Sequence, residues 1–352
     1  MSRLDSLFPR SPRTQDASEL ERALWIRSLL GDQDSLEPSE TLALRIHERF
    51  FERGQTLYRF GDAADRLYFI VRGEVTLSHA GVKSRDFGPR GVLGMMDALQ
   101  MRPHAFDAVA LADTLVLELD IDDWFEFLED HFDFLRSIIR RLIDALPPTS
   151  PPRPDLSKPT ARLRARRDGD RDLRAALGPT IGLSFVERLA VLRACPALSR
   201  AGIQALARLA VVAEPWYLDE GETRTLTSSA LYVVEYGRVG SVTSEPSGKT
   251  WYEEMSAGGA VAGLGLLEAD RYDCEVTAKE PTSLFRIASE RIFDVVEDHF
   301  SLGQSLLAHA AAEAEAVTLQ LQVASSATSS RAGDELLASE SAIRLPGEPT
   351  AG

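Results

Sequence analysis

Two short apolar runs, each closed by a glycine, constrain the fold more than any other feature of this chain. Leu67-Tyr-Phe-Ile-Val-Arg-Gly73 and Leu231-Tyr-Val-Val-Glu-Tyr-Gly237 are rich in β-branched and aromatic residues, the composition of a packed strand. In the first, Arg72-Gly73-Glu74 separates Leu67–Val71 from Val75-Thr-Leu77. Gly73 therefore reads as a hairpin turn, where a positive φ is cheap. Upstream, Gly54 and Gly61-Asp62 cut Phe51–Leu77 into further short strands. Strands this short, at this spacing, predict a small antiparallel barrel.

The second run belongs to a wider repeat. Gly263 answers Gly94, and Glu297-Asp-His-Phe300 answers Glu129-Asp-His-Phe132, at a nearly constant spacing from the first copy. Three such matches predict a tandem duplication. The first barrel is expected over about Phe50 to Leu119, after a helical lead that includes Leu42, Leu44 and Ile46. After it, Asp122 or Asp123 is the expected cap of one continuous closing helix with a stripe of Trp124, Phe127, Leu128, Phe132, Leu135, Ile138, Ile139 and Leu142. The second copy restarts at Phe185, with Leu192–Ser199 and Leu206–Ala210 as its lead and an Ala-rich closing helix from about Ser289. The expected map is an arm at 1–17, domain one at 18–146, a Pro-rich and charged linker at 147–182, domain two at 183–323 and a disordered tail at 324–352.

With 352 residues there is room for two ordinary domains. A net charge of -15 disfavours nucleic acid and anionic membranes as partners. The basic cluster Arg162–Arg167 is followed at once by Asp168 and Asp170, so it reads as a charge-mixed linker. The two cysteines, Cys195 and Cys274, form no framework and read as small core hydrophobes of a reducing compartment. No signal peptide and no run of about 18 apolar residues is evident, so a cytoplasmic location is expected.

The order Gly turn, strand, Gly61-Asp-Ala-Ala-Asp65, Leu67-Tyr-Phe-Ile70 and Gly73-Glu-Val75 resembles the cyclic nucleotide-binding domain family. The resemblance implies a mainly β fold with flanking helices. It would comprise two tandem cyclic-nucleotide-binding-like barrels of the jelly-roll, cupin-like kind, each framed by helices. The domain order resembles that of the regulatory subunits of cAMP-dependent protein kinase.

In that family one cassette holds the cyclic nucleotide. A short turn of helix begins with a Gly-Glu pair, and Pro-Arg-Ala-Ala/Ser-Thr precedes the next strand. Helix-start amides cradle the phosphate, the Glu accepts from the ribose, the Arg pairs with the phosphate and the Thr caps it. Aligned by Gly94 and Pro103, copy one carries Met95 at the Glu position, His104 at the Arg position and Asp107 at the Thr position. Aligned likewise, copy two carries Gly263, then Leu264, Tyr272 and Glu275. Both cassettes lose the three polar contacts and gain a carboxylate at the cap, where it would repel a phosphate. Arg102 and Arg271 lie beside the vacated positions; each reads as a surface arginine or as a loop residue within reach of the pocket.

Other chemistry finds little support. The six histidines show no ligand spacing within a strand, and Gly258–Gly265 lacks the βαβ context of a dinucleotide loop. The resemblance implies no catalytic residue, no metal and no cofactor. Bacterial relatives such as the catabolite activator place a helix-turn-helix after the closing helix; neither copy has room for one here, so no DNA binding is expected. A regulatory or scaffolding protein is expected, with a sensor of a cyclic nucleotide or another small ligand as the alternative. The far end of the first closing helix, Ile138, Ile139 and Leu142, is expected to meet a partner, either copy two of this chain, another protomer or a different protein.

Overall fold

Strand β3 (Arg66–Arg72) buries Leu67, Tyr68, Phe69 and Ile70 in succession, the signature of a strand covered on both faces. Tyr68 and Ile70 enter the apolar core between two sheets. Leu67 and Phe69 point the opposite way, because side chains alternate along a strand. This computed structural model describes residues 42–80, 82–144, 184–244, 248, 250–267 and 272–315. The expected arm, linker and tail, and Arg271, lie outside them. The chain divides into two units after Arg136.

The first unit adds β1 (His47–Phe51), β2 (Thr56–Tyr58), β4 (Val75–His79), β5 (Val82–Phe87), β6 (Val92–Leu93), β7 (Asp107–Ala110) and β8 (Thr114–Asp120). These strands form two four-stranded antiparallel sheets, ordered β1-β8-β3-β6 and β2-β7-β4-β5. That is the jelly-roll arrangement, with Phe51, Tyr58, Ile70, Val75, Leu93 and Val116 from both sheets filling the space between. The strands form two facing sheets rather than one closed barrel. Helix α2 (Ile121–Asp130) lies against β8 and buries Trp124, Phe127 and Leu128.

The second unit repeats the plan. Strands β10 (Thr223–Leu226), β14 (Asp273–Ala278), β12 (Arg238–Ser244) and β13 (Thr250–Ser256) make one sheet. Strands β11 (Ala230–Tyr236), β15 (Thr282–Ala288) and β9 (Glu214–Leu218) make the other. Where the first unit has β6, the second has only an isolated bridge between Val233 and Ala260. Helices Phe185–Ala194 and Ile203–Val212 stand where the repeat predicts a helical lead, and a Ser184/Glu187 capping box starts the first.

The closing helices differ from expectation. The first is broken into α2 and a second helix, α3 (Phe132–Asp144), at His131, whose φ and ψ are -124° and 72°. Its ring Nδ1 lies 2.8 Å from the Phe127 carbonyl oxygen and its ring stacks on Phe127. His299, with φ and ψ of -141° and 84°, breaks the second closing helix at the equivalent place, between Ser289–Asp298 and helical residues 300–315. The repeated Glu-Asp-His-Phe motif thus marks a break, not the middle of a helix, and in the first copy the His131 ring packs against it. The cap of α2 is Asp120, which accepts from the Asp122 amide at 3.0 Å, rather than Asp122 or Asp123.

The far end of the first closing helix is largely covered. Ile139 is 0% exposed and Ile143 2%, and Ile138 and Leu142 are half-buried. Ile139 is therefore covered within the chain, and the break at His131 removes the long straight stripe that the expectation assumed.

Candidate functional site

Gly94 ends β6 with φ at 83° and opens the short helix α1 (Met95–Leu99). A Cβ at this position would lie 2.6 Å from the Arg66 carbonyl oxygen and 3.4 Å from the His104 ring, so both the φ and the close approach require glycine. Gly94 is thus the pivot between β6 and α1. The residues around it are not all those expected.

Met95, at the Glu position, is half-buried, and a thioether offers a ribose no charged acceptor. His104, at the Arg position, is 2% exposed. Its ring stacks on Tyr58 at 3.6 Å between centroids and 12° between planes. Its backbone is pinned as well, the His104 amide donating to the Asp62 carbonyl and the Gly61 amide donating to the His104 carbonyl, each at 2.9 Å. The Gly61-Asp62 turn seen in the sequence therefore anchors this ring.

The residue that sequence reasoning missed is Asp97. Its side chain is 10% exposed. Arg102 reaches its Oδ1 through Nε at 2.9 Å and Nη2 at 2.8 Å. Its Oδ2 lies 3.4 Å from His104 Nδ1 and accepts from the Ala105 amide at 3.3 Å. Burial pushes the Asp97 carboxyl upward, but the contacts from His104, Arg102 and the Ala105 amide outweigh it and hold the group below the usual carboxylate range. Its contribution to stability is therefore present above the unfolded carboxylate pKa and is lost as pH falls through the folded one. The available signal was a lone carboxylate inside the apolar run Met95-Met-Asp-Ala-Leu99, with Arg102 nearby. Burial, and then the neighbouring Asp97 charge, push the Tyr58 hydroxyl upward, so it stays protonated at neutral pH.

Asp107 does not enter this cluster. It sits on β7 out of phase with buried Ala108 and Ala110, and its Oδ1 accepts from the Phe60 amide at 2.9 Å. The expected repulsion of a phosphate by Asp107 is corrected on this geometry. Beside the cluster lies an open cleft of about 380 Å³, lined by Arg49, Tyr58, Asp62, Arg66, Tyr68 and His104 among others. Its two arginines converge on Glu118: Arg49 Nη1 at 2.8 Å from Oε2, and Arg66 on Oε1. Glu118, Arg49, Arg66 and Tyr68 also escaped the sequence reading, because pairing of β1, β3 and β8 brings them together.

In copy two the Glu and Arg positions carry buried Leu264 and Tyr272. Gly263 lies in a run of turns, and Leu264 is 1% exposed. Tyr272 is buried in the core with Val261, Ala262, Leu266 and Cys274, its ring edge-to-face with Trp251 at 6.1 Å. Glu275 is exposed, because its neighbours Cys274 and Val276 take the core face of β14; a carboxylate aimed into this pocket is likewise corrected. Burial pushes the Cys274 thiol up to about 11, against a hydrogen bond from Thr243, so it is a poor nucleophile. Among the described residues no three His, Cys, Asp or Glu side chains come together as a metal site would require. No helix among them is long and apolar enough to cross a membrane.

The cyclic nucleotide-binding domain model matches residues 48–131 and 224–299. A cAMP-dependent protein kinase regulatory subunit of Eremothecium gossypii is 30% identical over 102 residues, 29% of this chain and 22% of that protein. A CRP-like cAMP-activated global transcriptional regulator of Mycobacterium tuberculosis is 25% identical over 114 residues, 30% of this chain and 51% of that protein. The aligned region thus spans from about a fifth to about half of these relatives' length. Among solved structures, the regulatory domain of Toxoplasma gondii PKA with cAMP is 16% identical, covering 81% of this chain and 96% of that one, with a TM-score of 0.30.

Proposed function

We propose, on the premise that this chain carries two cyclic nucleotide-binding domains in tandem, that it is a non-enzymatic regulatory or scaffolding protein whose cassettes do not take cyclic nucleotide. One observation carries the reading. At the Arg position of each cassette a buried ring packs against the chain itself, His104 on Tyr58 in copy one and Tyr272 in the core of copy two. Neither position then offers the guanidinium that would pair with a phosphate. The polar contacts absent at the Glu, Arg and Thr positions are each worth roughly 1.5–3 kcal/mol when charge-assisted. Together they amount to roughly 5–8 kcal/mol, at least about a thousandfold in affinity.

The reading includes a protein partner as the target of regulation, a cytoplasmic location, and domain limits near 18–146 and 183–323. The open cleft beside Arg49, Arg66 and Tyr68 supports a second reading, a sensor of another small ligand through a remodelled pocket. Affinity capture with the full chain from native lysate, with and without cAMP, tests the first. The expected result is one recurrent partner recovered equally in both conditions. Release of that partner by micromolar cAMP, or recovery of none, overturns it.

A further inference from the structure

We infer that the Asp97 carboxylate is a built-in anion occupying a cradle that would otherwise take an external oxyanion of the phosphate or sulfate class. The inference rests on the reading that the first cassette is closed to cyclic nucleotide. Its basis is the donor set. Two N–H groups of Arg102 approach one carboxylate oxygen at 2.8 and 2.9 Å. The His104 ring nitrogen and the Ala105 amide approach the other at 3.4 and 3.3 Å. A guanidinium, an imidazole and a backbone amide converging on one anion form a general oxyanion site, and a carboxylate satisfies it with the same charge and acceptor type as one edge of a phosphate.

The His104 ring and the loop backbone do not depend on the Asp97 side chain for their position. His104 is held by its stack on Tyr58 and by two backbone hydrogen bonds to the Gly61-Asp62 turn. The Arg102 amide donates to the Asp97 main-chain carbonyl at 3.1 Å, a bond that survives any change of side chain. Removing the carboxylate would therefore leave the His104 ring and the loop backbone in place, with the Arg102 side chain tethered beside the vacated acceptor site. Buried donors deprived of their acceptor are costly, so an external anion that restores the contacts should bind.

The alternative is that Asp97 only clamps helix α1 to the following loop. Asp97→Ala and the near-isosteric Asp97→Asn separate the two. Each full-length variant is melted in chloride, in sulfate and in phosphate at one ionic strength, beside the wild type and Asp97→Ala/Arg102→Ala. Amide exchange over residues 94–107 identifies the transition of the first domain. Sulfate and phosphate stabilise most folds by exclusion from the surface, so the readout is the excess over wild type. At a concentration about fifty times a millimolar Kd, that excess should be roughly 10–15 °C. It should vanish in the double variant. If Asp97→Ala is unfolded in chloride, recovery of its fold by phosphate under conditions that leave Asp97→Ala/Arg102→Ala unfolded is the same positive result. Oxyanion responses equal to wild type in both single variants overturn the inference and leave a clamp. A parallel titration of wild type with cAMP keeps the outcomes apart: micromolar binding there defeats the underlying reading, whereas failed rescue without such binding defeats only this inference.

Discussion

Gly73→Ala is expected to destabilise the first domain by about 3–5 kcal/mol. The residue has φ at 95°, and a Cβ there would sit 2.6 Å from Thr114 Cα and 2.7 Å from the Asp113 carbonyl oxygen. A positive φ with a side chain costs about 1–2 kcal/mol; relieving overlap with backbone atoms adds about 2–3 kcal/mol. The backbone has little room to yield. Thr114 is fully buried, accepts from the Glu74 amide at 3.2 Å and donates to the Ala112 carbonyl at 2.8 Å. Gly237 repeats the device, with φ at 83° and a prospective Cβ 2.7 Å from the Pro281 carbonyl oxygen and 2.9 Å from Thr282 Cα. Gly54 is the control, since its φ is 86° but nothing lies within 4 Å. Calorimetric melts should show Gly73→Ala lowering one transition by roughly 15–30 °C, with Gly237→Ala lowering the other. Gly54→Ala should cost only about 1–2 kcal/mol. Equal effects at Gly54 and Gly73 would contradict the close-approach argument.

Ile139→Glu is the second large effect. A stripe running past the barrel predicts a far end that meets either copy two or another protomer. With Ile139 fully buried, the substitution instead places a carboxylate in an apolar site, where it must protonate or force the helix away. The expected loss is about 3–5 kcal/mol, a fall in melting temperature of about 10 °C or more. Sedimentation should show an unchanged mass. A variant that melts like wild type but sediments at lower mass would restore the partner interface at this residue.

The features legible in the sequence were those fixed by local chemistry. Glycines needed at positive φ announced the turns at Gly54, Gly61 and Gly73, and repetition of Leu-Tyr and Glu-Asp-His-Phe announced the duplication. What was not legible depended on partners distant in sequence. The two-sheet order pairs β1 with β8 and β2 with β7, pairings that no local period records. The break at His131 involves neither Gly nor Pro, so helical periodicity runs straight through it. Asp107 and Glu275 were assigned to the pocket by position in a motif, but strand alternation turns both away from the core face. Asp97 was passed over because the motif has no place for a carboxylate there. Its role emerges only when Arg102, His104 and the Ala105 amide are seen around it.

The central claim is that the chain's own side chains fill both cassettes. Isothermal calorimetry of the full-length protein with cAMP and with cGMP tests it most directly. The account predicts no saturable heat for either nucleotide below about 1 mM, given the roughly 5–8 kcal/mol of missing contacts. A micromolar site for either nucleotide, abolished by a bulky substitution at Gly94 or Gly263, would contradict it.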